Sequence, residues 1–95
     1  MGLFGKPREL RALEMEITGL RVACGVHARM PAANQQHAAM ALPRDMNAAV
    51  DRAVRAGHAA PAHDLLNEAL GDPPNEQGGL DYEGIVRGAL DHVPG

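Results

Sequence analysis

Leu10, Leu13, Ile17, Leu20 and Cys24 follow one another at alternating spacings of three and four residues, and no other feature of this 95-residue chain constrains its fold as strongly. Side chains at that spacing line one side of an α-helix, and such a stripe needs a second surface if it is to leave water. Pro7 suits a first turn, where backbone N–H groups lack partners anyway, and Glu9 suits the positive end of the helix dipole. The run predicts a long amphipathic helix at the N-terminus. Past Ile17 two readings compete. Thr18, Gly19, Val22, Gly25 and Val26 are weak helix formers, and Leu20, Val22, Cys24 and Val26 also alternate as a strand would. No other segment offers a strand to pair with, and a lone strand is not stable, so helix is preferred over residues 18–27.

Pro31 marks a break. The segment from there to Leu42 is rich in Ala and Gln but poor in large apolar groups, which predicts a short, partly exposed helix ended by Pro43. A further helix is expected from Arg44 to Ala56, with Met46, Ala49, Val50, Ala53 and Val54 on one stripe and Gly57 at its C-terminal cap. Pro61 then reads as the first position of a helix carrying Leu65, Leu66, Ala69 and Leu70, so the centre of the chain predicts a helical hairpin. Residues 72–79 hold Pro, Gly and polar side chains and read as a flexible linker. The last helix has the clearest start: Asp81 as N-cap, with Leu80 and Ile85 placed to form a hydrophobic staple. Its apolar stripe would be Ile85, Val86, Ala89, Leu90 and Val93.

These elements predict one all-α domain over residues 1–95. It would be a small bundle of four to five helices, with a long N-terminal amphipathic helix, a central hairpin and a tail over residues 1–6. Its core is expected to be thin. Hydrophobic residues make up 45% of the chain but aromatic ones only 2%, leaving Leu, Val, Ile, Met and Ala to fill the interior. At this size, burial and conformational entropy come out near balance, so association with another molecule would help. Phe4 and Tyr82 are the two rings.

Charge is unevenly distributed. Residues 1–56 carry eight basic and five acidic side chains, whereas residues 57–95 carry Arg87 against seven carboxylates, within an overall net charge of −3. The halves could attract one another within a molecule or between molecules. The single cysteine, Cys24, cannot close an intramolecular disulfide, which argues for a reducing compartment. The opening residues lack the apolar run of a signal peptide, no stretch is apolar enough to span a bilayer, and Lys6 stands where a myristoylation motif wants Ser or Thr. A cytoplasmic location is the resulting expectation.

The run Gly57, Ala62, Leu66, Ala69 and Pro74 resembles in spacing the second half of a tetratricopeptide unit, over about a fifth of the chain. The first half departs from that pattern, with Met46, Ala49, Val50 and Ala53 where the family prefers Trp, Leu, Gly and Tyr. Residues 80–95 are too few for another unit, and a repeat fold needs about three stacked units to bury its faces. The segment is therefore read as an independent helical hairpin.

Several chemistries lose their residues at this stage. The chain has no Ser, one Thr (Thr18) and one Lys (Lys6), and it contains neither a Walker lysine motif nor G-x-G-x-x-G, so serine nucleophiles and the familiar nucleotide loops are absent. Cys24 and His27 lie one helical turn apart, which permits a thiolate–imidazolium pair, but no orienting third group is evident and the pair reads as a core cysteine beside a surface histidine. With His58 and His63 they would form a zinc-compatible ligand set, though at spacings far weaker than paired C-x-x-C. Asp64 and Glu68 share a helix face that reads as solvated. Arg44, Arg52 and Arg55 follow one side of the third predicted helix and admit a helix-turn-helix-like DNA-binding regulator. The net negative charge and the lack of stacking aromatics count against nucleic acid.

The sequence thus predicts a non-enzymatic helical interaction or assembly protein with no cofactor and no evident small-molecule substrate. It would self-associate or dock on a larger protein, and the face formed by Leu10, Leu13, Ile17 and Leu20 would serve either its own core or association. The DNA-binding regulator and a Cys/His metal-binding module are the alternatives.

Overall fold

A computed structural model describes residues 6–94 and contains four α-helices: α1 (Arg8–Val26), α2 (Ala32–Arg55), α3 (Ala59–Gly71) and α4 (Tyr82–Leu90). No strand occurs among the described residues. Most of the predicted tail, and Phe4 with it, lies outside them.

The N-terminal helix is helical throughout, so residues 18–26 resolve as helix, and a single 3₁₀ turn, His27–Arg29, follows. Its seam meets α2, which supplies Met46, Ala49, Val50 and Ala53 to a shared core, joined by Ala62, Leu66 and Ala69 of α3 and by Tyr82, Ile85, Val86 and Ala89 of α4. The principal packing is α1 on α2, with α4 lying against both α2 and α3. Small Ala residues at these contacts let the helices approach closely, which suits a core with few large side chains.

The largest departure from the predicted boundaries falls at Pro43. The two helices expected on either side of Pro43 form a single 24-residue helix with Pro43 inside it, giving four helices where up to five were expected. Proline lacks an N–H, so the Ala39 carbonyl loses its usual donor, at a cost of about 3 kcal/mol. The apolar positions Met46, Ala49, Val50 and Ala53 extend the packing surface of α2 beyond the proline, and burial there offsets that loss.

The ends of the other helices follow from local chemistry. Gly57 has φ of +89°, its N–H reaches the Val54 carbonyl at 3.0 Å, and the His58 N–H reaches Ala53 at 2.9 Å, a Schellman closure in the left-handed region that glycine adopts without strain. Helix α3 starts at Ala59, two residues earlier than predicted. Pro61 still falls within the first turn, where its missing N–H removes no helical bond. At α4, Asp81 Oδ1 accepts the Gly84 N–H at 3.0 Å, and Leu80 and Ile85 are both buried as the staple requires. That helix ends at Leu90, and Val93 reaches the core from the turn beyond it.

Candidate functional site

The structure places Leu10, Leu13 and Leu20 in the chain's own core, with Leu13 and Leu20 fully buried, and leaves Ile17 half-buried at its edge. Ile17 borders a cleft of about 270 Å³ between α1 and α3, whose polar lining is Glu14, Thr18, Arg21, Glu68 and Asp72. Arg21 is the hub of this cleft. Its guanidinium donates to the Asp72 backbone carbonyl and lies 3.3 Å from the Tyr82 hydroxyl and 3.8 Å from the Asp72 carboxylate. The Tyr82 hydroxyl donates in turn to the Ala69 carbonyl at 2.7 Å. These bonds fix the end of α3 and the start of the 72–79 segment against α1. Sequence reasoning missed both residues, because neither belongs to a motif and the contacts span 51 and 61 positions.

The far end of the same segment is held by a histidine. His27, expected at the surface, is buried. Its Nδ1 lies 2.7 Å from the Gly78 carbonyl and its Nε2 lies 3.3 Å from the Gln35 carbonyl, so one ring bridges the 72–79 segment and the first turn of α2. Nδ1, at the shorter contact, is the nitrogen placed to donate to the Gly78 carbonyl. Gly78 is required here: its φ is +59°, and a Cβ would stand 2.8 Å from the Cys24 carbonyl oxygen. The segment read as a linker is therefore pinned at both ends.

Cys24 is fully buried, and burial raises its thiol pKa above the ordinary 9.0, with the positive charge of Arg21 acting in the opposite direction. The His27 ring nitrogens lie against backbone carbonyls rather than the Cys24 sulfur, and burial favours the neutral thiol, so the two residues are not arranged as a thiolate–imidazolium pair. The proposed ligand set is dispersed. His58 lies 3.9 Å from Glu9 at the start of α1, about 27 Å along the helix from His27, while His63 contacts Asn67 and Asp64. Among the described residues, no three His, Cys, Asp or Glu side chains converge as metal ligands.

Arg44 pairs with Asp45 at 3.3 Å, whereas Arg52 and Arg55, at the end of α2, are exposed and have no carboxylate within 4.0 Å among the described residues. Asp64 projects into solvent from α3, across the short turn.

The side of α1 opposite the core carries a second apolar stripe that sequence reasoning did not single out. Met15, Val22 and Val26 are 72%, 62% and 38% exposed. Together with Gly19 they recur at intervals of four, three and four, the spacing that defines the buried seam, and Arg8, Arg11 and Thr18 are exposed on the same side. The signal was present in the periodicity but was masked by the longer Leu-rich run. Met40 on α2, 74% exposed, is the remaining large apolar side chain in solvent among the described residues. No helix there is long and apolar enough to cross a membrane.

These features define a small all-α bundle with a polar cleft between α1 and α3 and an exposed apolar stripe on the outer side of α1. Comparison with protein-family models, with curated proteins and with solved structures finds no match.

Proposed function

We propose that this chain is a non-enzymatic helical interaction or assembly protein that engages a protein partner through the outer face of α1. The observation that carries this reading is the aligned exposure of Met15, Val22 and Val26 on a helix whose other stripe is already committed to the core. Aligned apolar groups in water mark contact surfaces more often than isolated ones do. The thin core supports the same reading, since docking would add burial that the chain cannot supply alone.

A photo-crosslinking residue at Val22, compared with one at exposed Asn67 on α3, tests the proposal in the native host. An adduct is expected from position 22 and its loss on Met15→Glu; an adduct of twice the chain mass would mean self-association. Equal labelling from both positions, or none, would retire the reading.

A second reading, a small DNA-binding regulator, draws on Arg52 and Arg55, exposed before a three-residue turn and without a carboxylate partner among the described residues. Asp64 and Glu68 on the following helix would face phosphate repulsion in that role. Salt-sensitive retention on duplex DNA, lost in Arg52→Ala and Arg55→Ala, would favour it.

A further inference from the structure

We infer that the outer face of α1 is built for an amphipathic helix with acidic ends, supplied by a different protein; this rests on the docking role proposed above. The face has an apolar centre, Met15, Gly19, Val22 and Val26, between cationic ends. Arg8 and Arg11 precede it and Arg29 follows it, and none of the three has a carboxylate within 4.0 Å among the described residues. The Arg29 guanidinium donates to the Gly25 carbonyl at 2.9 Å, which holds its charge at the end of α1. Glu14 borders the face, lining a shallow recess with Arg11, Met15, Thr18 and Gly19, but its carboxylate is engaged by Lys6, and Glu16 lies roughly 100° round the helix from Met15. At the centre, nothing lies within 4 Å of where a Gly19 Cβ would be, so a partner side chain can reach the helix backbone.

Charge identifies the occupant. Two copies of this face packed antiparallel would set Arg8 and Arg11 against Arg29, and packed parallel they would set each arginine against its own copy, so both arrangements bring like charges together. Head-to-tail packing on the acidic half of another copy fails for a different reason. Among the described residues the exposed large apolar side chains, Met15, Val22, Val26 and Met40, all precede residue 57, and the apolar groups that the acidic half does offer, Leu90, Val93 and Pro94, sit within about one turn around a recess, too short to match the roughly 16 Å stripe from Met15 to Val26. A lipid surface fits less well than a helix, because interfacial helices insert Trp, Phe or Leu, whereas this centre offers one Met, two Val and a Gly. Arg11 and Arg29 stand about 27 Å apart along the axis, which sets a partner helix of about 20 residues with carboxylates near both ends.

The test uses three synthetic helical peptides of about 20 residues with one shared apolar stripe and either glutamate, glutamine or lysine ends. Binding to the full chain is read by fluorescence anisotropy. The acidic peptide should bind about tenfold or more tighter than the basic one at low salt, with the difference shrinking as salt is added. Val22→Glu should weaken all three, and Arg8→Glu with Arg11→Glu should reverse the order; the wild-type ranking stands without any variant. Equal affinity for all three peptides would overturn the charge argument and leave the docking role intact. No binding by any peptide would overturn both. Binding to phosphatidylglycerol vesicles in place of the peptides, or dimerisation abolished by Val22→Glu, would also overturn the inference by naming another occupant.

Discussion

The two sides of α1 carry apolar residues at the same spacing and meet opposite fates. On the inner side, Leu13, Leu20 and Cys24 are fully covered by the other helices; on the outer side, Met15 and Val22 keep most of their surface in water. Periodicity reports that a helix has an apolar stripe, but it does not report which stripe its own chain can cover. The larger, γ-branched Leu side chains were taken into the core, where Ala-rich faces of α2 and α3 make room for them. The smaller stripe was left over. The difference separates what holds the molecule together from what it can offer to another.

Four predictions probe that contrast, in order of falling effect on stability. Leu13→Ala should cost about 2–5 kcal/mol, because a fully buried side chain is replaced by a cavity, and thermal melting should fall by roughly 10 °C or more. If Leu13→Ala instead melted with the wild type, the inner face would not be the core. Gly78→Ala should cost about 2 kcal/mol or more, since it imposes a left-handed backbone on alanine and drives a methyl into the Cys24 carbonyl. Its hydrogen-exchange signature should be faster exchange at the end of α1, and an unchanged pattern would mean that the 72–79 segment does not brace the inner face.

The third prediction concerns Cys24 and pH. Burial raises its pKa, so the folded state holds the thiol proton more tightly than the unfolded chain does. The resulting stability is fully present below the unfolded thiol pKa, near 9.0, and is lost as pH rises through the higher folded value. Urea midpoints measured upward from pH 8 should therefore decline more steeply in the wild type than in Cys24→Ala; parallel curves would contradict the assignment. Last, Met15→Ala and Val22→Glu should each change stability by no more than about 0.5 kcal/mol, as expected at exposed positions. A large loss of stability in either would show that the outer stripe also serves the fold.

Much of the architecture was legible locally. The Leu10–Leu20 run, the Asp81 cap with its Leu80–Ile85 staple and the Gly57 stop each depend on residues within a few positions, and each appears in the structure. Pro43 misled because its effect was judged locally, as a helix terminator, while the packing that keeps α2 continuous comes from other helices. His27 misled for a related reason. A histidine one turn past a cysteine says nothing of a carbonyl 51 positions away that its ring nitrogen will meet.

The sequence alone determined that the chain is helical, where most of its helices begin and end, and that its interior is made of small and aliphatic side chains. These follow from dihedral preferences, capping groups and the 3.6-residue period, all of which act over a turn or two. Only the tertiary structure decided which stripe of α1 is covered, that Arg21, Tyr82 and His27 pin the 72–79 segment, and that α2 runs through its proline. Those outcomes depend on what distant segments bring to the same place, and no local pattern encodes the shape of a partner surface.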